Sequence, residues 1–160
     1  MSHRSFWEQP LPLTIRLLLA AALLLCAPMA VAQTNLGELL DTGATPLSAE
    51  EFRQEVVGRM IVGPTATGGS VELMYAANGT VVGTGKLKQE GFVSPPLSGE
   101  WKIDENGKVC TSMQIGGAPA WGAVVLPPRC QTWFKSAGQY FLSDSDSDRR
   151  AKVFRRTLKQ

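Results

Sequence analysis

The stretch GEWKIDENGKVC, residues 99–110, decides the fold of this chain. Trp101 and Ile103 alternate with charged residues, which is the period of a strand with one buried face. Asn106-Gly107 follows as a tight-turn signal, and a second alternating run begins directly after it. We therefore predict a β-hairpin that places Trp101 and Ile103 on the core face and ends at Cys110.

The same alternation continues on both sides of this hairpin. Asn78-Gly79 predicts another hairpin turn. The pattern predicts an all-β chain, an antiparallel meander of about seven or eight strands that forms a small barrel with one short N-terminal helix. Closure into a barrel also removes exposed strand edges, which otherwise invite aggregation. Besides the opening hairpin, the predicted strands are VELMYA (71–76), TVVGTGKLK (80–88), KVCTSMQI (108–115), AVVLPP (123–128), RCQTWFK (129–135), QYFLSD (139–144) and AKVFRRTL (151–158).

One segment has the signals of a helix. Ser48 and Glu51 form a capping box, and Phe52 and Val56 follow as a short apolar stripe that Gly58 ends. Such a short helix needs a partner to bury Phe52, so we expect it to plug a sheet or lean on one.

The first 32 residues are predicted to be a secretory signal peptide. Arg4 and Arg16 precede an apolar run, Leu17–Ala32, which ends in the small-residue pattern Ala30-Val31-Ala32. This run is short for a membrane span, which needs about 20 apolar residues. We predict cleavage after Ala32, no stable membrane span afterwards, and a periplasmic or secreted protein. Residues 33–46 are then predicted to be a flexible lead-in, and residues 47–160 a single domain.

Composition limits the chemistry that the mature chain can perform. Lys and Arg number 16 against 14 Asp and Glu in the full chain, and loss of Arg4, Arg16 and Glu8 with the signal peptide leaves 14 against 13, so no strong field favours a nucleic-acid partner. The one histidine, His3, leaves with the signal peptide. Catalysis by Ser-His-Asp or Cys-His requires an imidazole, and zinc sites based on histidine require one too. We therefore predict no enzymatic activity, no metal site and no cofactor.

Two cysteines remain after cleavage, Cys110 and Cys130. An even count in an oxidising compartment predicts one structural disulfide. Redox sites usually use the much closer C-x-x-C spacing. If the strands that contain Cys110 and Cys130 are neighbours in the sheet, the disulfide joins them.

Several residues are candidates for contact with a partner or ligand. The C-terminal run RRAKVFRRTLK, 149–159, contains Arg155 and Arg156 and is a possible surface for an acidic partner. Trp121 lies in the glycine-rich segment GGAPAWG, where an exposed aromatic residue is a possible anchor. Trp101 and Met113 are candidates to line a ligand cavity inside the barrel.

The opening stretch also belongs to a longer pattern of the form G-x-W, D-x-x-G-K-x-C, C and G-x-Y. It resembles the pattern of small secreted bacterial domains of unknown function. A weaker similarity is to periplasmic protease inhibitors, which implies a lipocalin-like barrel of eight strands with one disulfide. The lipocalin G-x-W lies on the first strand, whereas here it falls in mid-domain. The matching residues are Gly99, Trp101, Asp104, Gly107, Lys108, Cys110, Cys130, Gly138 and Tyr140.

Three functions are left open by these observations. The first is a non-catalytic β-barrel protein that binds a partner or ligand at the cell envelope. The second is an inhibitor of a secreted protease or lysozyme, with a loop or segment 33–46 entering the active site. The third is a carrier of a small apolar ligand, held in a barrel interior lined by Trp101, Met113, Gly83 and Gly85.

Overall fold

The computed structural model describes residues 34–86, 94–116 and 122–159. The predicted signal peptide and Trp121 lie outside the described residues. Two helices are present in this part of the chain, α1 (Leu36–Asp41) and α2 (Ala49–Glu55), and neither is long and apolar enough to cross a membrane. The strands are β1 (Thr45–Pro46), β2 (Met60–Pro64), β3 (Ser70–Tyr75), β4 (Thr80–Lys86), β5 (Pro96–Ile103), β6 (Val109–Ile115), β7 (Val124–Val125), β8 (Arg129–Ser136), β9 (Gln139–Ser143) and β10 (Val153–Lys159).

Eight strands close into an antiparallel barrel in the order β2–β3–β4–β5–β6–β8–β9–β10, and β10 pairs back to β2. Strands β6 and β8 pair over only three residues each, Val109–Thr111 with Arg129–Gln131. Cys110 and Cys130 are direct partners in this register and form a disulfide, with their Cα atoms 3.9 Å apart. The predicted all-β barrel and the predicted disulfide are both confirmed.

Both Asn-Gly pairs form hairpin turns. Gly79 and Gly107 have φ values of 86° and 78°, a backbone conformation that favours glycine. The N–H of each donates to the carbonyl three residues earlier, the pattern of a three-residue loop with glycine in the left-handed position. Asp104 fixes the second turn, because its Oδ1 accepts from the N–H groups of Asn106 (2.9 Å) and Lys108 (2.8 Å).

Helix α2 fills one end of the barrel interior. Ser48 caps it, and the reciprocal bonds of the capping box with Glu51 are both present. Phe52 is 1% exposed, and its ring lies 5.4–5.6 Å from the rings of Tyr75, Trp101 and Trp133 in edge-on contacts. Aromatic pairs in this geometry contribute about 0.5–1.5 kcal/mol each beyond the area they bury. The short apolar stripe of α2 therefore finds its partner inside the barrel.

The segment predicted as a flexible lead-in is folded over residues 34–46. Asn35 caps α1, and Leu36 and Leu39 are fully buried. They pack with Phe134 and Phe141 on the outer face of β8 and β9. The sequence did not predict α1, because two leucines in so short a helix carry little periodicity, and their partner surface is formed about a hundred residues later.

Strand boundaries differ from the expectation in two places. Strand β2 was not predicted, because its apolar run Met60–Val62 is short and ends at Gly63 and Pro64. In the structure β2 lies between β10 and β3, so the barrel is closed through it. Strand β5 begins at Pro96, three residues before the start of the predicted hairpin at Gly99.

Candidate functional site

A basic cavity lies where β10 runs past the beginning of β9. Strand β9 pairs with β10 only as far as Arg156, while Thr157–Lys159 pair on the other side with β2. The edge of β10 beyond Arg156 is therefore not covered by β9, and a cavity of about 310 Å³ opens there. Four of the residues around this basic cavity are cationic, and none of the described residues around it is acidic. The cations are Arg59, Arg155, Arg156 and Lys159.

Arg156 is the most deeply placed of the four. It is 9% exposed and belongs to the inward face of β10, opposite Tyr140. Its Nη1 donates to the carbonyl oxygens of Pro64 (2.9 Å) and Arg155 (3.2 Å), and no described carboxylate lies within ion-pair distance. Burial lowers the pKa of this guanidinium, because removal from water disfavours the charged form.

Glycine at position 63 makes room for Arg156. Gly63 is on β2, next to β10, and a Cβ built there would overlap Nη1 of Arg156 and the carbonyl of Arg155. A side chain at position 63 would therefore displace the guanidinium. The buried position of the Arg156 side chain therefore requires a glycine at position 63 of β2.

The other three cations are exposed at the rim. Arg155 and Lys159 are on the outward face of β10, and Arg59 follows α2. Lys159 Nζ lies 3.3 Å from Glu72 Oε1, so the charge of Lys159 is balanced in part by this ion pair. Arg59 and Arg155 form no ion pair with any residue that the structure describes. The cavity thus concentrates positive charge that the described part of the protein leaves largely uncompensated.

A clip, formed by Glu55, Lys135 and Tyr140, joins α2 to the barrel beside the cavity. The carboxylate of Glu55 accepts from Lys135 Nζ at 2.7 and 2.8 Å and from the Tyr140 hydroxyl at 2.5 Å. These hydrogen bonds, that of Lys135 first, lower the pKa of Glu55. Burial and the bond to Glu55 raise the pKa of Tyr140, which also lines the cavity. Glu55 is therefore occupied by Lys135 and Tyr140 rather than by an arginine of the cavity.

The structure separates the candidate residues that the sequence singled out. Arg155 and Arg156 both border the basic cavity, but their side chains leave β10 on opposite faces. Trp101 lies in the aromatic interior, where its Nε1 donates to the carbonyl of Ala76 at 2.9 Å. Met113 packs against the same core. Both residues are thus structural members of the interior as well as candidates for ligand contact.

Sequence reasoning missed Arg59, Tyr140 and Lys159. Lys159 lies in the basic C-terminal run but was not selected, since its place beside Arg156 depends on how β10 is paired. Arg59 is about a hundred residues away in sequence, and no local signal connects it to β10. The registers of β10 with β9 and β2 bring these residues together.

A second concavity is larger but has mixed charge. It has a volume of about 640 Å³ and includes Glu100, Lys102, Trp101 and Cys110. Asp104 lies nearby, with its Oδ2 3.9 Å from Cys110 Sγ. Because Cys110 and Cys130 are bonded to each other, they offer no thiolates to a metal ion.

Comparison of the chain with protein-family models, with curated protein sequences and with solved structures finds no match. The fold and the cavity therefore define only a class, a disulfide-closed β-barrel with a helical plug and a basic cavity at one strand edge.

Proposed function

We propose that this protein is a non-catalytic binding protein of the cell envelope that holds an acidic ligand or partner in the basic cavity. The observation that carries the proposal is the set of cations around one concavity without a described carboxylate. A buried charge without an opposite partner is unfavourable unless something compensates it. An anionic ligand in the cavity supplies part of that compensation.

A periplasmic or secreted location is part of the proposal. The predicted signal peptide, residues 1–32, would deliver the chain to an oxidising compartment, and the Cys110–Cys130 disulfide is compatible with one. Expression of the full chain with its own leader tests this. The exported protein should begin at Gln33 and weigh two hydrogens less than its reduced form. Retention of residues 1–32 would contradict it.

A binding role without catalysis fits the state of the groups in the cavity. Tyr140 donates to Glu55 and has a raised pKa, so it is a poor general base near neutral pH. Glu55 has a lowered pKa and is held in two hydrogen-bonding contacts, so it is a weak proton acceptor. The arginines bind and orient anions through a fixed fork of N–H donors.

The two alternatives from the sequence lead to different expectations. An inhibitor of a secreted hydrolase would present a loop, since the buried Leu36 and Leu39 tie segment 34–46 to the barrel. A carrier of an apolar ligand would need space where Phe52 and Trp101 now pack. The buried Arg156, which has no acidic partner among the described residues, favours anion binding more directly than any described contact favours either alternative.

Titration of the exported protein with a panel of probes tests the proposal. The panel contains inorganic phosphate, sulfate, citrate, a glutamate-rich peptide and an apolar fluorescent probe. We expect an anion to bind, and its affinity to fall at least tenfold in the double variant Arg59→Gln/Arg155→Gln. Arg150→Gln removes a similar charge from an exposed site that does not line the cavity, and it should bind as the wild type does.

Three results would overturn the proposal. One is the absence of binding by any anion, and another is equal binding by the double variant and the wild type. The third is binding of the apolar probe alone, which would support the carrier. Inhibition of a protease or lysozyme that survives the double variant would support the inhibitor instead.

A further inference from the structure

We propose that the protein, once its disulfide is reduced, binds a thiophilic divalent cation such as Zn²⁺ through Cys110, Cys130 and Asp104. These three residues form a thiolate site that shares no residue with the basic cavity, so the inference does not rest on the proposed function. It departs from the prediction that the chain has no metal site, because the fold places a third ligand beside the cysteine pair.

The register of the sheet brings the three ligand atoms together. Cys110 on β6 faces Cys130 on β8, and Asp104 lies at the start of the turn that joins β5 to β6. The two sulfur atoms and a carboxylate oxygen of Asp104 lie within 4.8 Å of one another. Asp104 Oδ2 is 3.9 Å from Cys110 Sγ. A sulfur and an oxygen ligand of one tetrahedral zinc ion are about 3.6 Å apart, so little movement of the carboxylate is needed.

The carboxylate of Asp104 is oriented by the turn itself. Its Oδ1 accepts from the N–H groups of Asn106 (2.9 Å) and Lys108 (2.8 Å). Its Oδ2 faces Cys110 and accepts no other hydrogen bond from the described residues. Carboxylates that bind metals are commonly held in this way, with hydrogen bonds that fix their direction. A cation on Oδ2 would leave both hydrogen bonds of the turn in place.

Two thiolates and one carboxylate select the class of cation. Thiolates favour Zn²⁺ and softer ions, whereas Mg²⁺ and Ca²⁺ favour sites built from oxygen alone. Lys102 is the cross-strand partner of Cys110 and lies on the same face of the sheet, and a neighbouring cation favours the thiolate form of a cysteine. Cys110 also borders the concavity of about 640 Å³, which leaves room for water as a fourth ligand.

The thiolate site exists only while the disulfide is open. Cys130 is exposed, so a dithiol reductant can reach it, and exposed disulfides are the more easily reduced ones. The dithiol gives up two electrons and becomes a disulfide, while Cys110 and Cys130 each become a thiol. A divalent cation then replaces the two thiol protons, which are released to solvent. Disulfide and metal therefore exclude each other at the same two sulfur atoms.

Titration with Co²⁺ tests the inference, because this ion accepts the ligands of zinc and its absorption spectrum reports them. The exported protein is reduced with a phosphine, which competes for metal less than a thiol does. We expect a single cobalt ion per chain, with thiolate-to-cobalt charge-transfer bands and the strong visible bands of a tetrahedral site. Zn²⁺ should displace the cobalt and remove these bands. The oxidised protein should show none of them.

Variants assign the ligands one by one. Asp104→Asn keeps an oxygen for the two N–H groups of the turn but removes the carboxylate, and it should weaken Co²⁺ binding by about tenfold or more. Glu105→Gln removes a similar charge from an exposed position in the same turn, and its affinity should stay near that of the wild type. Cys110→Ser/Cys130→Ser should show no charge-transfer bands.

Thermal unfolding separates loss of the site from loss of the fold. Zn²⁺ should raise the melting temperature of the reduced wild type and leave that of Cys110→Ser/Cys130→Ser unchanged, because a ligand that binds only the folded state stabilises it. If the reduced wild type unfolds without metal, Zn²⁺ should restore the tryptophan fluorescence of the oxidised protein. Three results would overturn the inference: no thiolate bands in the reduced protein, equal cobalt binding by the oxidised protein, or wild-type affinity in Asp104→Asn.

Discussion

The aromatic interior beneath α2 and the basic cavity meet at Tyr140, yet their side chains are satisfied in opposite ways. In the interior, Phe52 is surrounded by three rings, and the indole N–H of Trp101 is bound to a carbonyl. Beside the cavity, Arg156 is 9% exposed, and its partners are two backbone carbonyls and the ring of Phe154, whose centroid lies 5.9 Å from the guanidinium carbon.

The difference shows which region is used for folding and which for binding. Burial of apolar surface contributes about 25 cal/mol per Å², so the interior stabilises the barrel in its present form. A buried cation without an acid opposes folding, and such departures from good local chemistry are expected at functional sites. Three changes to the protein test whether the two regions are independent, and removal of the Phe52 ring should have the greatest effect on stability.

Phe52→Ala should cause the largest loss of stability. It removes the ring at the centre of the aromatic interior, and such substitutions cost about 3–5 kcal/mol. Urea unfolding followed by tryptophan fluorescence measures the change. Val82→Ala is the matched control, because Val82 is 43% exposed and should change the free energy of unfolding by about 0.5 kcal/mol or less.

Anion binding by the folded Phe52→Ala variant should equal that of the wild type. A loss of binding in protein that is still folded would show that the plug also shapes the cavity. The two regions would then be one functional unit rather than two.

Reduction of the Cys110–Cys130 disulfide should have the next largest effect. The bond closes a loop with a sequence separation of 20, and the chain-entropy model gives a contribution of about 3 kcal/mol. Strands β6 and β8 pair over only three residues each, so few hydrogen bonds compensate at this point of the barrel. Denaturation with and without reductant measures the loss.

The variant Cys110→Ser/Cys130→Ser is the control for the reductant itself. It should lose the same stability and should not respond to reductant. Equal stability of the oxidised and reduced wild type would show that strand pairing alone closes the barrel. Anion binding should persist in the reduced protein while it is folded, because neither cysteine lines the basic cavity.

Glu55→Gln should have the smallest effect, and one that depends on pH. The pKa of Glu55 is lowered in the folded protein, chiefly by the hydrogen bond from Lys135. Its contribution to stability is therefore present above the unfolded value, about 4.3, and is lost as the pH falls through the lower folded value. Thermal unfolding should show a higher melting temperature for the wild type than for the variant at neutral pH, and the difference should shrink as the pH falls below about 4.3.

Glu50→Gln removes a similar charge from α2 but breaks no contact with the barrel, so it is the control for this change. A difference that persists unchanged at low pH would show that the Glu55 carboxylate is not the titrating group. Weaker binding of anions by Glu55→Gln would contradict the separation of the clip from the arginines.

Much of the barrel was predictable because its signals are local. Alternation in β3, β4, β5 and β6 gave the inward faces, and the Asn-Gly pairs gave two turns. The capping box of Ser48 and Glu51 gave the start of α2. Helix α1 and strand β2 were missed because each is short and is stabilised by distant partners rather than by its own pattern.

The candidate site was predictable only in part. Arg155 and Arg156 stood out as a basic pair, but alternation along a strand predicts that one of them points inward without saying what it meets there. Trp101 and Met113 were singled out for ligand contact, and the structure places both against the apolar core.

Local sequence was sufficient to predict most of the strands, the two Asn-Gly turns, the capped helix α2 and the cysteine pair, because each depends on residues close together in the chain. Tertiary structure was needed to show that Arg59 and Arg156 border one cavity, that Gly63 leaves room for a guanidinium, and that Glu55 binds Lys135 and Tyr140. Those relations depend on strand register and on closure of the barrel. Register is set by the burial of all strands together, so no single stretch of sequence contains it.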